Sequence, residues 1–297
     1  MTKTVLILGA SGKIGVHSAR AFAKAGWTVR KYTRGTDMTA AAMGADVIVN
    51  GMNPPNYHDW ATIIPAITRQ VIAAAKASGA TVLIPGNVYN YGQEPGPWSE
   101  KTPQRPCTRK GEIRKTMESA YRTSGVQTVI LRAGTFIDPD RNGDVLDTVQ
   151  LKSAHRGKVT ALGRHDAQHA WTYVPDWARA AVMIAEKRAS LASFEDIPMP
   201  HFAMSIGDLA ERLGQAAGRD LTLVDFPWWA MRLAAPFWEL ARELLEMRYL
   251  FNHDHALGGV ELARILPDFE PTPTEVVMQH LVHLYIDPNK PMLPAIA

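Results

Sequence analysis

The chain has 297 residues, with 32 basic against 29 acidic side chains and a formal net charge of +3. That is long enough for one α/β domain with an appended lobe, and too weakly charged to imply a nucleic-acid partner. The single cysteine, Cys107, excludes an intramolecular disulfide and makes a reducing compartment the default.

Met1-Thr2-Lys3 runs straight into a strand pattern, leaving no room for a signal peptide. The longest apolar stretch, 228–247, is interrupted by Arg232, Glu239, Arg242, Glu243 and Glu246. A cytoplasmic protein with no membrane partner is expected.

The first element is the apolar run Val5-Leu6-Ile7-Leu8, short enough for a buried strand, leading into Gly9-Ala10-Ser11-Gly12-Lys13-Ile14-Gly15. Glycines three apart between a strand and a helix cradle a pyrophosphate. Gly9 permits the tight turn, Gly12 lets backbone N–H groups approach the phosphates, and Gly15 lets the helix pack on the strand. Ser11, Lys13 and Ile14 complete the expected cofactor-binding turn.

The following helix has Ser18, Ala19, Phe22 and Ala23 on one face and stops at Gly26. A second strand, 27–34, ends in Thr33 and Arg34, where an acidic residue would hold the ribose hydroxyls of NAD. Arg34 and Lys13 suit a 2′-phosphate instead, so NADP is the expected cofactor and NAD the alternative. Between Arg34 and the strand 46–50 there is too little chain for a further helix and strand. Residues 36–38 are therefore a vestigial third strand, or that strand is missing from the sheet; Asp37 is placed to reach the adenine edge.

The loop 51–60 carries two prolines at the C-terminal edge of a strand, where open α/β sheets bind ligands. Asn53, Tyr57, His58 and Trp60 are its candidate pocket residues, Asn53 among the cofactor contacts. A long helix follows, with Ile63, Ile64, Ile67, Val71, Ile72 and Ala75 at helical spacing and Gly79 after it. The strand 81–85 then opens into Gly86-Asn87-Val88-Tyr89-Asn90-Tyr91-Gly92.

These segments resemble the short-chain dehydrogenases/reductases in their extended, epimerase/dehydratase-like form. The resemblance rests on Gly9-x-x-Gly12-x-x-Gly15, Val88-Tyr89-Asn90-Tyr91-Gly92, Arg132-Ala133-Gly134-Thr135-Phe136 and Trp171-Thr172-Tyr173-Val174-Pro175-Asp176-Trp177-Ala178, in that order. It implies a Rossmann-type, doubly wound parallel sheet with a smaller C-terminal substrate lobe. The core would span 1–138, with the chain re-entering it at about 170–198, and 139–297 would be mostly lobe.

The family's chemistry uses a Ser or Thr, a Tyr and a Lys four residues after the Tyr. Here Asn87 stands at the Ser/Thr position, and no tyrosine in the sequence is followed by lysine at the fourth place. Aligning on Glu118 puts Lys110 at the Tyr position and Arg114 at the Lys position; aligning Lys115 as the lysine puts Gly111 where Tyr belongs. Lys110, Arg114 and Glu118 share one helix face at i, i+4 and i+8. Arg114 could bind ribose hydroxyls but not exchange protons, whereas Lys110 could exchange them if its pKa were lowered. Tyr89 and Tyr91 are alternative donors. Lys110, Arg114, Asn87 and Tyr89 are thus the candidate catalytic set, and the alternative for 110, 114 and 118 is a solvated ion-pair stripe.

Further along, 126–131 reads as a buried strand, 140–163 as polar and turn-rich, and 171–174 as a returning strand with Asp176 as N-cap of the next helix. Ser205-Ile206-Gly207-Asp208 opens a helix closed by Gly218, and 221–224 reads as a strand. The helix after Pro236 sets Phe237, Leu240, Ala241, Leu244 and Leu245 on one side against Glu239, Arg242, Glu243 and Glu246 on the other. That pattern suits core packing, a lid or a homodimer contact. Thr272-Pro273-Thr274-Glu275 reads as a capping box for the last helix, and the C-terminal histidines lack the spacing of a zinc site.

Two functions fit this reading. One is an NAD(P)-binding oxidoreductase or epimerase/dehydratase-like enzyme acting on a small hydroxy or carbonyl substrate. The other is a non-catalytic NADP-binding redox sensor or scaffold.

Overall fold

Branched apolar residues on consecutive positions make the early strands buried on both faces, as in a parallel sheet with helices on either side. The structure, a computed structural model, describes residues 2–140 and 143–290; the predicted turn-rich run 140–163 thus includes two positions, 141 and 142, outside the described residues. The first half alternates strands and helices: β1 (Thr4–Leu8), α1 (Lys13–Lys24), β2 (Thr28–Lys31), α2 (Met38–Ala42), β3 (Val47–Asn50), α3 (Trp60–Ser78), β4 (Thr81–Gly86), α4 (Arg109–Thr123) and β5 (Thr128–Arg132). Then come β6 (Thr135–Ile137), β7 (Lys158–Ala161), β8 (His169–Tyr173), α5 (Val174–Glu186), β9 (Phe194–Pro198) and β10 (Phe202–Met204). The chain closes with α6 (Ile206–Ala217), β11 (Thr222–Asp225), α7 (Trp228–Ala234), α8 (Glu239–Met247), α9 (Val260–Ile265) and α10 (Thr274–Tyr285).

Six parallel strands form the central sheet in the order β2-β1-β3-β4-β5-β9. Period-two alternation divides the core. Val5 and Ile7 join Phe22 and Trp177 on the α1/α5 side, while Leu6 and Leu8 join Trp60, Ile64 and Met117 on the α2/α3/α4 side. The open question after β2 is settled: residues 36–38 lead into the five-residue α2, β2 is the sheet edge, and the third strand is missing.

The sheet is completed from far along the chain. Residues 169–173 do not enter it; β8 sits between β10 and β6 in a separate sheet, and β9 is the strand that docks on β5, with Thr128 opposite Phe194. The lobe beyond has its own core of Leu146, Trp171, Tyr173, Leu209, Leu213, Val277 and Leu281.

Three local expectations change. Asp176 is not an N-cap: α5 begins at Val174, and the buried Asp176 carboxylate instead accepts from Thr272 N (2.7 Å) and Thr272 Oγ1 (2.8 Å). Thr272 is thereby used up, and α10 starts without a side-chain cap. In α8 the expected division holds only in part: Ala241 is buried and Arg242 exposed, but Glu243 is buried too, and Phe237, just before the helix, is 94% exposed. The Ser205/Asp208 capping box and the left-handed Gly218 are as expected.

Candidate functional site

The glycine turn has the shape its spacing implies. Gly9 holds φ +71°, and a Cβ on Gly15 would meet the Gly9 carbonyl oxygen at 2.2 Å and Ala10 Cα at 2.6 Å. Neither position admits a side chain, while Gly12 faces more open space. Gly12 is also the N-cap of α1 and offers no side chain to its first N–H groups, which leaves them for an anion. The turn therefore fits a pyrophosphate on its backbone geometry alone.

From this turn a cavity of about 560 Å³ runs over the C-terminal edge of the sheet, within the size range of small-molecule sites. Its walls include Ser11, Gly12, Lys13 and Ile14, then Asn53 and Tyr57 after β3, Asn87 and Tyr89 after β4, Arg114 of α4, Met247 at the end of α8, and Leu250 and Phe251 after it. Each strand delivers its loop to the same edge because all run parallel.

Around Arg114 the cavity wall is aromatic. The guanidinium lies 4.7 Å from the Trp60 ring centroid and donates to Asn53 Oδ1 at 2.7 Å, while its Nε has no partner. Among the described residues Arg114 makes no ion pair, and burial pulls its pKa below the ordinary arginine value. A buried guanidinium with spare donor capacity on a cavity wall suits polar oxygens of a ligand.

Tyr57 and Tyr89 bring their hydroxyls to 3.2 Å across the same wall. Burial raises both pKa values, with Arg114 opposing the rise, so both are neutral phenols near pH 7. Tyr57 sits in a stretch where three non-glycine residues hold positive φ: Asn56 (+53°), Tyr57 (+60°) and Asp59 (+41°). Such geometry costs about 1–3 kcal/mol per residue and persists only when surrounding contacts enforce it. One such contact is Glu239, which accepts from Asp59 N and pairs with His58 Nδ1 at 2.8 Å. His58 is exposed, on the outside of the loop.

Lys110 lies elsewhere. It is fully buried on the same face as Arg114 and Glu118, so this face is not a solvated stripe. Its ammonium pairs with Glu243 and, at 2.7 Å, with Glu246, and its backbone N–H donates to Glu246 Oε1 at 2.9 Å. It does not line the cavity. Sequence reasoning missed both partners, because they sit more than a hundred positions later on a helix whose inner face was read as the apolar one.

Glu118 serves a second buried cation. Arg132 reaches Asp196 at 2.7 and 3.0 Å and Glu118 at 2.8 and 3.0 Å, and it also donates to the Asn87 carbonyl oxygen. β5, β9, α4 and the Asn87 loop are thus fixed to one guanidinium. Asn87 Oδ1 in turn accepts from Tyr89 N at 3.1 Å, which holds the loop that carries both residues.

The expected 2′-phosphate pair is split. Lys13 lines the cavity but pairs with Asp144, with the Phe136 ring 5.9 Å away. Arg34 is exposed outside the cavity, and Asp37 caps α2, accepting from Thr39 N at 2.8 Å and Ala40 N at 3.1 Å. A further cluster unread in the sequence joins His17 Nε2 to Asp138 Oδ1 (2.9 Å) and Asp140 Oδ2 (3.6 Å), with Arg20 on Asp140.

Fold and glycine turn together define a Rossmann-type α/β protein built on a parallel sheet. Residues 59–198 match the model of the NAD dependent epimerase/dehydratase family. No curated protein sequence matches the chain.

Among solved structures, MoeE5 in complex with UDP-glucose and NAD is similar over 94% of this chain and 97% of its own, at 15% identity and a TM-score of 0.76. A nucleoside-diphosphate-sugar epimerase from Pseudomonas aeruginosa is similar over 98% and 99%, at 16% and 0.72. UDP-N-acetylglucosamine 4-epimerase from Bacillus cereus is similar over 96% and 99%, at 13% and 0.74. At these identities the likeness is one of fold. Among the described residues no helix is long and apolar enough to cross a membrane.

Proposed function

We propose that the protein is an NAD(P)-dependent oxidoreductase or epimerase-like enzyme for a small hydroxy or carbonyl substrate, with Tyr89 as its proton-exchanging group. The observation that carries this reading is one cavity that joins the glycine turn to the Tyr57–Tyr89 hydroxyl pair beside Arg114. The backbone of 9–15 would hold the pyrophosphate, with Asn53 and Arg114 on the nucleoside side of the same wall. When bound, the nicotinamide supplies or accepts the hydride.

Tyr89 gives the proton to the carbonyl oxygen, or takes it from the alcohol in reverse. Tyr57 and Tyr89 share a hydrogen bond, and Arg114 sets positive charge beside both, which opposes the rise that burial gives the Tyr89 pKa. The Asn87 side chain stands at the position of the family's Ser or Thr. Lys110, held by two glutamates, takes no part. Lys13 retains NADP as the favoured cofactor if its pair with Asp144 yields to a 2′-phosphate.

Fluorescence titration with NADPH and NADH, followed by turnover of aldehydes, ketones and nucleotide sugars, tests the reading. NADPH is expected to bind more tightly. Tyr89→Phe should lower kcat about 10²- to 10⁴-fold with cofactor affinity unchanged. Unaltered turnover in that variant would remove Tyr89 from the mechanism. The commitment of Lys110 to Glu243 and Glu246 favours the second reading, a non-catalytic dinucleotide-binding sensor; tight cofactor binding without turnover of any substrate class would select it.

A further inference from the structure

We infer that the segment 228–242 is a docking surface for an anionic lipid bilayer, on which the protein lies without spanning it. Four large apolar side chains project from this short stretch into solvent: Trp229 (67% exposed), Leu233 (71%), Phe237 (94%) and Trp238 (47%). Their exposure is built into the local fold. Trp228 turns inward, is buried and donates Nε1–H to the Leu162 carbonyl at 2.8 Å, with Arg248 over its ring, and this rotates Trp229 and Leu233, one helical turn apart, outward. Four large apolar side chains exposed within ten residues mark a candidate interaction site.

Charge selects the partner. All three carboxylates of 228–247 are already partnered: the part-exposed Glu239 by His58 and Asp59, and Glu243 and Glu246 by Lys110. The cations left on the outer side are Arg232 and Arg242, both exposed. Asp225, just before the segment, is engaged by His165 at 2.7 Å. Aromatic side chains that sit at the headgroup level, flanked by arginines, are the pattern of an interfacial helix on an anionic leaflet. A second copy of the chain fits less well. Two-fold pairing of this face would bring four guanidiniums together with no carboxylate of 228–247 to meet them. The segment continues into Met247, Leu250 and Phe251 at the cavity wall, so the lipid face and the site share one stretch of chain.

Co-sedimentation of the full chain with vesicles of phosphatidylcholine, with and without phosphatidylglycerol, tests the inference. Binding to the phosphatidylglycerol vesicles is expected, weakening as salt rises. Trp229→Ser with Phe237→Ser should lower the partition coefficient at least tenfold. Arg232→Gln with Arg242→Gln should abolish the preference for phosphatidylglycerol. All four side chains are exposed, so thermal midpoints and NADPH affinity of the variants should match the parent, which separates a lost surface from a lost fold. No binding to anionic vesicles, or binding undiminished in the aromatic variant, overturns the inference. So does a dimer in sedimentation equilibrium that Phe237→Ser dissociates while vesicle binding is absent.

Discussion

A stack of buried histidines makes stability depend steeply on pH. His169 and His255 lie ring on ring with centroids 5.1 Å apart, His255 stacks on Trp98 at 4.9 Å, and each histidine keeps an Nε2 without a partner. At 4% and 3% exposure neither can take a charge cheaply; burial lowers the His169 pKa to about 3 and the His255 pKa to about 4. The groups facing them are His253, whose carbonyl meets His255 Nδ1 at 2.9 Å, and the exposed Asp254, engaged by Arg164.

In the unfolded chain both histidines protonate near pH 6.5. Below that pH the unfolded state binds more protons than the folded one, so stability is fully present above about 6.5 and is lost as pH falls. At about 1.4 kcal/mol per pH unit, each histidine contributes a loss of about 2 kcal/mol between pH 7 and pH 5, about 4 kcal/mol together. That is a large share of an ordinary folding free energy. Urea unfolding at pH 7, 6 and 5 measures it. His255→Phe keeps a stacked ring and should halve the dependence, and His169→Phe with His255→Phe should nearly remove it over this range. If the double variant loses as much stability on acidification as the parent, the stack is not the cause.

Three further outcomes follow from named contacts. Arg132→Met leaves Glu118 and Asp196 buried without their cation and should cost about 3–5 kcal/mol in urea unfolding; Arg132→Lys should not restore it, because one ammonium cannot serve two carboxylate forks. Gly15→Ala places a methyl 2.2 Å from the Gly9 carbonyl oxygen and should weaken NADPH binding at least tenfold by fluorescence; unchanged affinity would remove the turn from the site. Lys110→Met should destabilise by about 3–5 kcal/mol. Adding Glu243→Leu and Glu246→Leu should recover most of that loss.

What could be read in the sequence depended on how far apart its determinants lay. The glycine turn, β1 and the end of α3 are coded within about ten residues by periodicity and left-handed glycines, and the structure has them where the pattern put them. The missing third strand was reduced to two alternatives by chain length alone. Pairings across the chain were not legible. Nothing local tells Asp176 that its partner is Thr272 rather than its own helix N-terminus, or tells Lys110 that two glutamates of α8 will surround it. For α8, amphipathicity gave two faces and no sign of which one was inner. Ala241 turns inward as hydrophobicity argues, but Glu243 turns inward with it to meet the buried Lys110.

The inward placement of Glu243 links the features of the C-terminal half. Lys110 would be costly to bury alone, and here the cost is offset by turning Glu243 and Glu246 inward. Turning those carboxylates inward also fixes the rotation of α8 and leaves Arg242 outside, with Phe237 and Trp238 exposed just before the helix. Glu239, one turn earlier, follows the same inner face and braces the loop in which Tyr57 holds its unfavourable backbone angle. Lys110 of α4 is therefore coupled through one helix to the presentation of Tyr57 at the cavity. Lys110→Tyr would leave the glutamates without their cation and release that brace, so it should disturb Tyr57.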